Sequence, residues 1–240
     1  MKTLIIIPSR LAATRLPGKP LLKINGLSII SHVFKRAETA KIGDVLVATE
    51  NQEIVDDVEK NGGQAVLTSN KHNTGTDRIY EALQKTKISN IDLVMNLQGD
   101  EPLIDVDDIR NLNQFMINTN SKIGTLASEI LDKKFYDNQN VVKVKTKEEL
   151  SQKNFPEAIY FKRKTLKKDL NTYHHMGIYC YEMETLKNFV SFKQSPNEAK
   201  YKLEQLRALE NKIKINVALA KSHSIGIDTK EDFVAIKKIM

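Results

Sequence analysis

Hydrophobic positions in the first half of the chain alternate between short apolar runs and helix-spaced apolar residues. The pattern predicts strands at 3–7, 44–50 and 64–69, a further strand that starts at 91 and ends in "QGDEP", and helices at 28–40, 51–63, 74–86 and 105–118. The threonines of "TGTDR" are suited to capping the third helix. Strands that alternate with helices of this length indicate parallel βαβ units, which bind ligands at the carboxyl ends of their strands.

The pattern changes near residue 123. Strands are predicted in "IGTLASEI", "NVVKVKTK", "EAIYFKR" and "HHMGIYCYE", followed by a helix at 197–211, a strand at 212–220 and a closing helix at 229–240. Polar loops separate several of these strands, so we expect an antiparallel extension of the sheet and a small subdomain. The sequence therefore predicts one α/β domain over 1–240, with a βαβ part at 1–122 and a second part at 123–240.

Composition narrows the function classes only slightly. The net charge of +7 suits nucleic acid or a small polyanion, but most lysines are interleaved with acids as on a solvated surface. Aromatic residues make up 6% of the chain and tryptophan is absent, which disfavours a single-strand-binding surface. No apolar run approaches the roughly 18 residues of a membrane span. The one cysteine, Cys180, lies in an apolar run, so we expect a buried thiol and a cytoplasmic protein.

The loop that follows the first strand carries the clearest candidate chemistry. "PSRLAATRLPGKPL" places Arg10, Arg15 and Lys19 beside Gly18, directly after the apolar run Leu4-Ile5-Ile6-Ile7. The loop lacks the Walker A pattern and the GxGxxG pattern. Three cations and exposed backbone amides are nevertheless enough to neutralise a nucleoside triphosphate. A solvated basic loop is the alternative.

Two aspartates follow predicted strands and are candidate metal ligands. Asp100 comes directly after Gly99 in "NLQGDEP", and Asp228 follows Ile225 and Ile227 in "SIGIDTKEDF". Carboxylates facing a basic loop suit Mg²⁺ that bridges phosphates. The alternative is helix capping, in which Asp228 or Thr229 pairs with Glu231. The metal-ligand interpretation of Asp228 is favoured only if this residue faces Asp100.

The histidines show no zinc-site spacing. His174 and His175 are neighbours on a predicted strand, so they point to opposite faces and only one of them can reach a given substrate. We expect the other three, His32, His72 and His223, to be surface or packing residues.

Seven motifs together resemble one known family along nearly the whole chain. They are, in order, "IIPSRLAATRLPGKPL", "VATE", "TGTDR", "NLQGDEPLI", "HMGIYCY", "LEQLRALE" and "GIDTKED". The chain is similar to the sugar-acid cytidylyltransferases and, through "LEQLR" and "GIDT", to the 3-deoxy-manno-octulosonate (Kdo) cytidylyltransferases. The resemblance implies a GT-A-like nucleotidyltransferase fold with a mixed, mostly parallel central sheet, helices on both faces and a small β-rich dimerisation extension. It also implies that the part at 1–122 binds the nucleotide and that the part at 123–240 binds the sugar acid and forms the dimer.

The resemblance also implies a reaction and residue roles. CTP and Kdo would give CMP-Kdo and pyrophosphate for lipopolysaccharide synthesis, with Mg²⁺ and usually in a homodimer. The implied catalytic residues are Arg10, Arg15, Lys19, Asp100 and Asp228, the last two as metal ligands. Ser9, Arg10, Arg15, Lys19, Thr76, Arg78 and Gln98 would bind the nucleotide, and Arg163, His175, Glu204 and Gln205 would bind the sugar acid.

The chain departs from the family pattern in two places. Lys162 stands where the family usually has serine, and the loop at 162–173 is short. Lys230 replaces a common proline at the start of a helix. The alternatives are the same chemistry on an 8-amino-Kdo analogue or a sialic acid, a non-catalytic nucleotide sensor, and a nucleic-acid-binding protein.

Overall fold

The structure is a computed structural model that describes residues 1–12, 15–72, 74–131, 134–164, 169–222 and 226–240. In chain order, the strands are β1 (Thr3–Ser9), β2 (Lys23–Ile24), β3 (Leu27–Ser28), β4 (Gly43–Thr49), β5 (Ala65–Leu67), β6 (Leu93–Asn96), β7 (Ile123–Ser128), β8 (Lys143–Thr146), β9 (Ala158–Lys162), β10 (Thr172–Glu182) and β11 (Ile215–Leu219). The α-helices are α1 (Ile29–Ala40), α2 (Gln52–Lys60), α3 (Gly75–Lys85), α4 (Val106–Thr119), α5 (Lys134–Asp137), α6 (Met183–Ser191), α7 (Pro196–Tyr201), α8 (Gln205–Glu210) and α9 (Lys230–Ile239).

The chain forms two compact units. The first contains Met1–Ile109 and Ser224–Met240, and the second contains Arg110–His223. No helix within the described ranges is long and apolar enough to cross a membrane. Expectations for His223, for Ile225 and for positions 165–168 of the short loop fall outside the described residues.

The first unit is built on a parallel sheet with the strand order β6-β1-β4-β5. The residues Leu4–Ile7 of β1 are fully buried, as expected for a central strand covered on both faces. Helix α1 buries the five positions that its spacing predicts, namely Ile29, Ile30, Val33, Phe34 and Ala37. The Thr74 hydroxyl accepts a hydrogen bond from Asp77 N–H at 3.1 Å, which confirms the predicted cap of α3. The predicted βαβ pattern is thus confirmed.

The second unit combines parallel and antiparallel pairing. Strand β11 pairs in parallel with β7, β10 runs antiparallel to β7 and β8, and β9 pairs antiparallel with β8. A register shift in β10 between Met176 and Tyr179 forms a bulge beside His175. Bulges re-aim neighbouring side chains and are common near functional sites. The β8–β9 hairpin is the antiparallel extension that the sequence predicts.

The predicted helix at 197–211 is wrong as a single element. The segment forms α7 and α8 instead, and Lys202 between them has a left-handed backbone with φ +53°. The hydrophobic pattern does not reveal this break, because Leu203 continues the helical spacing and is buried in the core. The sequence analysis also missed α6 and the β2–β3 hairpin, whose turn Asn25-Gly26 has positive φ at both residues.

Candidate active site

A polar pocket lies at the carboxyl ends of the strands of the first unit. Its volume is about 370 Å³, within the range of small-molecule sites. The loop after β1, the start of α3, the turn after β6 and the segment before α9 all contribute to its wall. The lining residues are Pro8, Ser9, Arg10, Ala12, Arg15, Leu16, Lys19, Pro20, His72, Thr74, Gly75, Arg78, Gln98, Gly99, Asp100 and Asp228.

Backbone contacts position the basic loop over the end of β1. Leu11 N–H donates to the side-chain oxygen of Asn51 at 2.9 Å, and Gly18 N–H donates to the Leu11 carbonyl at 3.3 Å. Gly18 has φ +68°, a conformation that glycine adopts without strain, and Lys19 follows it at the start of a short 3₁₀ turn. The loop therefore presents the Lys19 side chain at a fixed point of the pocket.

Gly99 brings the end of β6 close to the end of β1. A Cβ atom at this position would lie 3.0 Å from the Pro8 carbonyl oxygen and 3.2 Å from Ile30 Cδ1. A side chain at this position would require the Pro8 carbonyl and the Ile30 side chain to shift by a few tenths of an ångström. Glycine at 99 thus allows Asp100 to reach the basic loop that follows β1.

The segment before α9 places Asp228 opposite Asp100. Ile227 N–H donates to the Asp100 carbonyl at 2.9 Å. Ile24, Ile29, Ile227 and Ile236 share one core cluster, against which Leu16 of the basic loop also packs. Thr229 and Asp232 form the capping box of α9. The predicted alternative of Glu231 as capping partner is therefore wrong, and the Asp228 side chain faces the pocket instead of capping the helix.

Four charged side chains meet at this end of the pocket. Lys19 Nζ donates to Asp100 at 2.6 Å and lies 3.3 Å from Asp228, while Arg15 donates to the other oxygen of Asp228 at 2.9 Å. The two aspartates therefore converge on one cation, as the metal-ligand hypothesis requires. No group of three or more His, Cys, Asp and Glu side chains within the described ranges is arranged to hold a metal. Two carboxylates without further protein ligands suit Mg²⁺, which fills its shell with water and substrate phosphates.

The other predicted nucleotide-binding residues divide into two groups. Ser9, Arg10 and Gln98 line the pocket beside the charged cluster. Arg78 also lines it, but its buried guanidinium is bound by Glu50, by Thr68 at 2.7 Å and by the Ser69 carbonyl at 3.3 Å. Arg78 thus ties the ends of β4 and β5 together. Thr76 is buried in the first turn of α3, outside the pocket lining.

His72 is a pocket residue that the sequence analysis missed. It was expected to be a surface or packing residue, whereas it lines the pocket two residues before the Thr74 cap of α3. Its ring binds the Glu81 carboxylate through Nε2. The available signal was its position two residues before "TGTDR", at the start of a helix.

The predicted sugar-binding residues all lie in the second unit. His175 is buried, and its Nε2 lies 3.0 Å from the Thr125 hydroxyl, which donates to the Ile178 carbonyl at 2.7 Å across the bulge. With the hydroxyl proton donated to that carbonyl, we assign the ring proton of His175 to Nε2, which leaves a lone pair on Nδ1. Burial, with a contribution from His174, lowers the pKa of His175 to about 3. His175 is therefore neutral at neutral pH.

This burial predicts a pH dependence of stability. The folded pKa of about 3 lies below the ordinary 6.5, so the unfolded chain binds more protons between these values and stability falls as pH drops below 6.5. The slope is about 1.4 kcal/mol per pH unit. We expect the stability advantage of the unmodified chain over His175→Gln to shrink by about 2 kcal/mol from pH 7 to pH 5 in urea unfolding. An unchanged difference at the two pH values would show that His175 titrates normally.

The remaining sugar-binding candidates lie on α8 and after β9. Glu204 lies at the start of α8 and Gln205 is buried next to it. Burial raises the pKa of Tyr179 well above its ordinary value, and the charges of Tyr181 and of Glu204 raise it further. Tyr179, Tyr181 and Glu204 are therefore neighbours. Arg163 donates to the carbonyls of Gln139, Tyr201 and Lys202 at 3.0 to 3.2 Å. Its guanidinium therefore binds backbone carbonyls in this structure.

The unusual residue Lys162 is accommodated at the surface. Its ammonium lies 4.1 Å from the centre of the Tyr160 ring, a cation–π contact on the exposed side of β9. The buried Lys143 donates to the carbonyls of Asn138, Val141 and Arg163 at 2.6 to 2.8 Å, which fixes the backbone next to Lys162. Cys180 is buried on β10, where burial raises the pKa of its thiol, as expected for a packing residue.

Comparisons with known proteins assign the chain to a family. The family model described as cytidylyltransferase matches residues 4–215. A 3-deoxy-manno-octulosonate cytidylyltransferase of Rhodopseudomonas palustris (strain BisB18) is 44% identical over 241 residues, which cover 100% of this chain and 98% of that protein. The chain belongs to this cytidylyltransferase family. A protein of the same description from Afipia carboxidovorans is 45% identical over 99% of this chain and 96% of its own length.

A solved structure of the family has the same fold. A CMP:2-keto-3-deoxy-manno-octonic acid synthetase complexed with CTP superimposes with a TM-score of 0.89 at 33% identity, covering 100% of this chain and 98% of that one. The resemblance inferred from the seven motifs and the predicted nucleotidyltransferase fold are therefore confirmed. In this chain, the basic loop and both aspartates line one pocket.

Proposed function

We propose that the chain transfers CMP from CTP to the anomeric hydroxyl of 3-deoxy-D-manno-octulosonate (Kdo) and releases pyrophosphate. The observation that carries this proposal is the convergence of Asp100 and Asp228 on Lys19, beside Arg15, in a pocket of nucleotide size. Similarity over the full length to Kdo cytidylyltransferases supports the substrate pair. We assign CTP to the pocket of the first unit, and the candidate sugar-acid residues belong to the second unit.

Charge neutralisation accounts for the chemistry of the nucleotide pocket. The Kdo hydroxyl attacks the α-phosphorus of CTP in line, and the bond from that phosphorus to the pyrophosphate oxygen breaks. Lys19 and Arg15, which face carboxylates in this structure, turn to the phosphates and neutralise the leaving group. Arg10 adds a third cation at the rim. Because such transfer depends on positioning and charge, no covalent enzyme intermediate is needed.

Asp100 and Asp228 are the proposed magnesium ligands. Their oxygens already surround one cation, the Lys19 ammonium, at 2.6 and 3.3 Å. Bound Mg²⁺ supplies Lewis-acid polarisation of phosphate oxygens and lowers the pKa of the attacking hydroxyl. Lys19 would exchange its carboxylate contacts for the triphosphate when the metal nucleotide binds.

The second unit supplies groups suited to a sugar acid. The lone pair on His175 Nδ1 accepts from a hydroxyl, and Glu204 and Gln205 provide further polar contacts at the start of α8. Arg163 offers a cation for a carboxylate once it leaves the carbonyls of Tyr201 and Lys202. These groups match a polyhydroxylated acid better than an apolar ligand.

Glu204→Ala tests the sugar-binding role. We expect the KM for Kdo to rise about 10-fold or more, because hydrogen bonds to a charged group contribute about 1.5–3 kcal/mol. The KM for CTP should change by less than about 2-fold. Steady-state kinetics with each substrate varied measures both values, and Glu210→Ala on the exposed side of α8 is the matched control. An equal rise in both KM values would exclude a specific sugar contact.

The proposed reaction is tested by pyrophosphate release from CTP and Kdo with Mg²⁺ or with EDTA. We expect release that requires Kdo and stops with EDTA. Release without a divalent cation would contradict the metal role of the two aspartates. A salt-sensitive shift of nucleic acid in gels, without any pyrophosphate release, would favour the binding-protein alternative.

We also infer a cytoplasmic homodimer, as the family resemblance implies. Exposed apolar side chains on the β8–β9 extension and the following loop, Ile159 and Leu170, support a contact with a second copy. Light scattering that gives twice the mass of one chain would agree with this inference, and a monomer mass would contradict it. Both substrates and the buried thiol suit the cytoplasm, which fractionation of cells can test.

A further inference from the structure

His72 and Glu81 form a pair at the wall of the nucleotide pocket. His72 lines the pocket, and its Nε2 binds Glu81 Oε2 from the middle of α3. The His72 side chain keeps about 20% of its surface exposed. The two ring nitrogens lie on different edges of the imidazole, so Nδ1 is directed away from the carboxylate. The pair thus fixes the ring at the wall of the pocket, where part of the side chain stays exposed.

Glu81 is held as an anion in a fixed position. Its carboxylate accepts from Ser69 N–H at 2.9 Å and from Lys85 at 2.6 Å, in addition to His72. Burial opposes ionisation, but the hydrogen bonds from Lys85, His72 and Ser69 outweigh it and lower the pKa of Glu81 to about 2. Glu81 is therefore charged at neutral pH, and its carboxylate orients the His72 ring.

His72 lies on a different element from the charged cluster. The cations and Asp100 follow β1 and β6, whereas His72 lies on the segment between β5 and α3. In the strand order β6-β1-β4-β5, strands β6 and β5 are at opposite edges. With the phosphates at the charged cluster, this order places the nucleoside on the side of the pocket that the β5–α3 segment lines.

We propose that His72 contacts the nucleoside part of the bound nucleotide, and that Glu81 is the positioning residue that orients it. The proposal rests on the proposed function, because it assumes that the pocket binds CTP. His72 bonds a ribose hydroxyl or the polar edge of the base and takes no part in phosphoryl transfer. Its loss therefore weakens nucleotide binding without slowing the chemical step.

The test compares the binding of CTP and CMP to four variants by isothermal titration. We expect His72→Ala to weaken both ligands by the same factor, about 3- to 10-fold, as one lost hydrogen bond predicts. Glu81→Gln should weaken both by a smaller factor and have no further effect in the His72→Ala background. The kcat at saturating CTP should stay within about 2-fold. His32→Ala, a histidine of α1 that binds the Ile24 carbonyl outside the pocket, is the matched control.

The possible results separate this inference from the proposed function. Unchanged binding of both ligands by His72→Ala would overturn the inference, even if its melting temperature fell. A loss confined to CTP would also overturn it, because it would place His72 against the outer phosphates. Independent effects of Glu81→Gln and His72→Ala would exclude the positioning role of Glu81. Failure of the unmodified chain to bind CTP would refute the proposed function itself. His72→Gln decides the question if the alanine variant does not fold.

Discussion

Asp100→Asn is expected to lower turnover by at least about 10²-fold and to leave the fold intact. An asparagine keeps the shape of the side chain but removes the negative charge that faces Lys19 at 2.6 Å. A metal ligand supplies several kcal/mol of transition-state stabilisation, and each 1.4 kcal/mol is about tenfold in rate. The Asp100 side chain is partly exposed, so its replacement leaves no buried charge behind.

Pyrophosphate release under saturating CTP and Kdo measures this loss, and a thermal melt confirms folding. Asp56→Asn, an exposed substitution on α2, controls for the change from carboxylate to amide. Relative to the unmodified chain, the variant should lose more affinity for CTP in the presence of Mg²⁺ than in its absence. Near-normal turnover would remove Asp100 from the proposed metal ligands.

Glu198→Gln is expected to produce the largest loss of stability, about 3–5 kcal/mol. Glu198 and Arg207 are almost fully buried, and the guanidinium donates to both carboxylate oxygens at 2.8 and 2.5 Å. Glu198 also accepts from Ser195 N–H in the capping box of α7. Removing the charge of Glu198 leaves the buried guanidinium of Arg207 with only a more distant carboxylate in the described residues, that of Glu204 at 4.0 Å.

Urea unfolding of the unmodified chain, of Glu198→Gln and of a control variant at neutral pH measures this loss of stability. Glu184→Gln is the matched control, because Glu184 pairs with Lys187 at the surface, where ion pairs contribute less than about 1 kcal/mol. A loss below about 1 kcal/mol for Glu198→Gln would show that the buried pair is not needed. The pair joins α7 to α8, which begins beside Glu204, so a partly folded variant should also lose affinity for the sugar acid.

The fold of the first unit was predictable because local pattern and tertiary burial agree there. The run Leu4–Ile7 is fully apolar, and the structure buries it completely in a central parallel strand. The spacing of Ile29, Val33 and Ala37 likewise predicts a face that α1 does bury. In both cases, a single periodicity determines which side chains enter the core.

The segment 197–211 was not predictable in the same way. Its spacing is helical throughout, yet the chain turns at Lys202 so that α7 and α8 can join through the Glu198–Arg207 pair. An ion pair between residues nine positions apart leaves no trace in the spacing of hydrophobic residues. The sequence therefore predicts helix correctly on both sides and misses the turn.

The candidate site shows the same contrast. Asp100 follows a strand and a glycine, so its place at the sheet edge was predictable. Asp228 was ambiguous, because both it and Thr229 precede a helix, and only the packing of Ile227 and Ile236 against the basic-loop core decides which residue caps α9. His72 was missed because its role depends on Glu81, which lies on the next helix rather than at a motif spacing.

The central claim is transfer of CMP to Kdo, and the most direct test is pyrophosphate release with three sugar acids side by side. CTP and Mg²⁺ are held constant while Kdo, 8-amino-Kdo and N-acetylneuraminate are compared at equal concentration. We predict turnover with Kdo and little or none with the other two, which would make the Lys162 region a tolerated variation. Turnover with another acid and none with Kdo would contradict the acceptor assignment. No release with any of the three would contradict the proposed activity altogether.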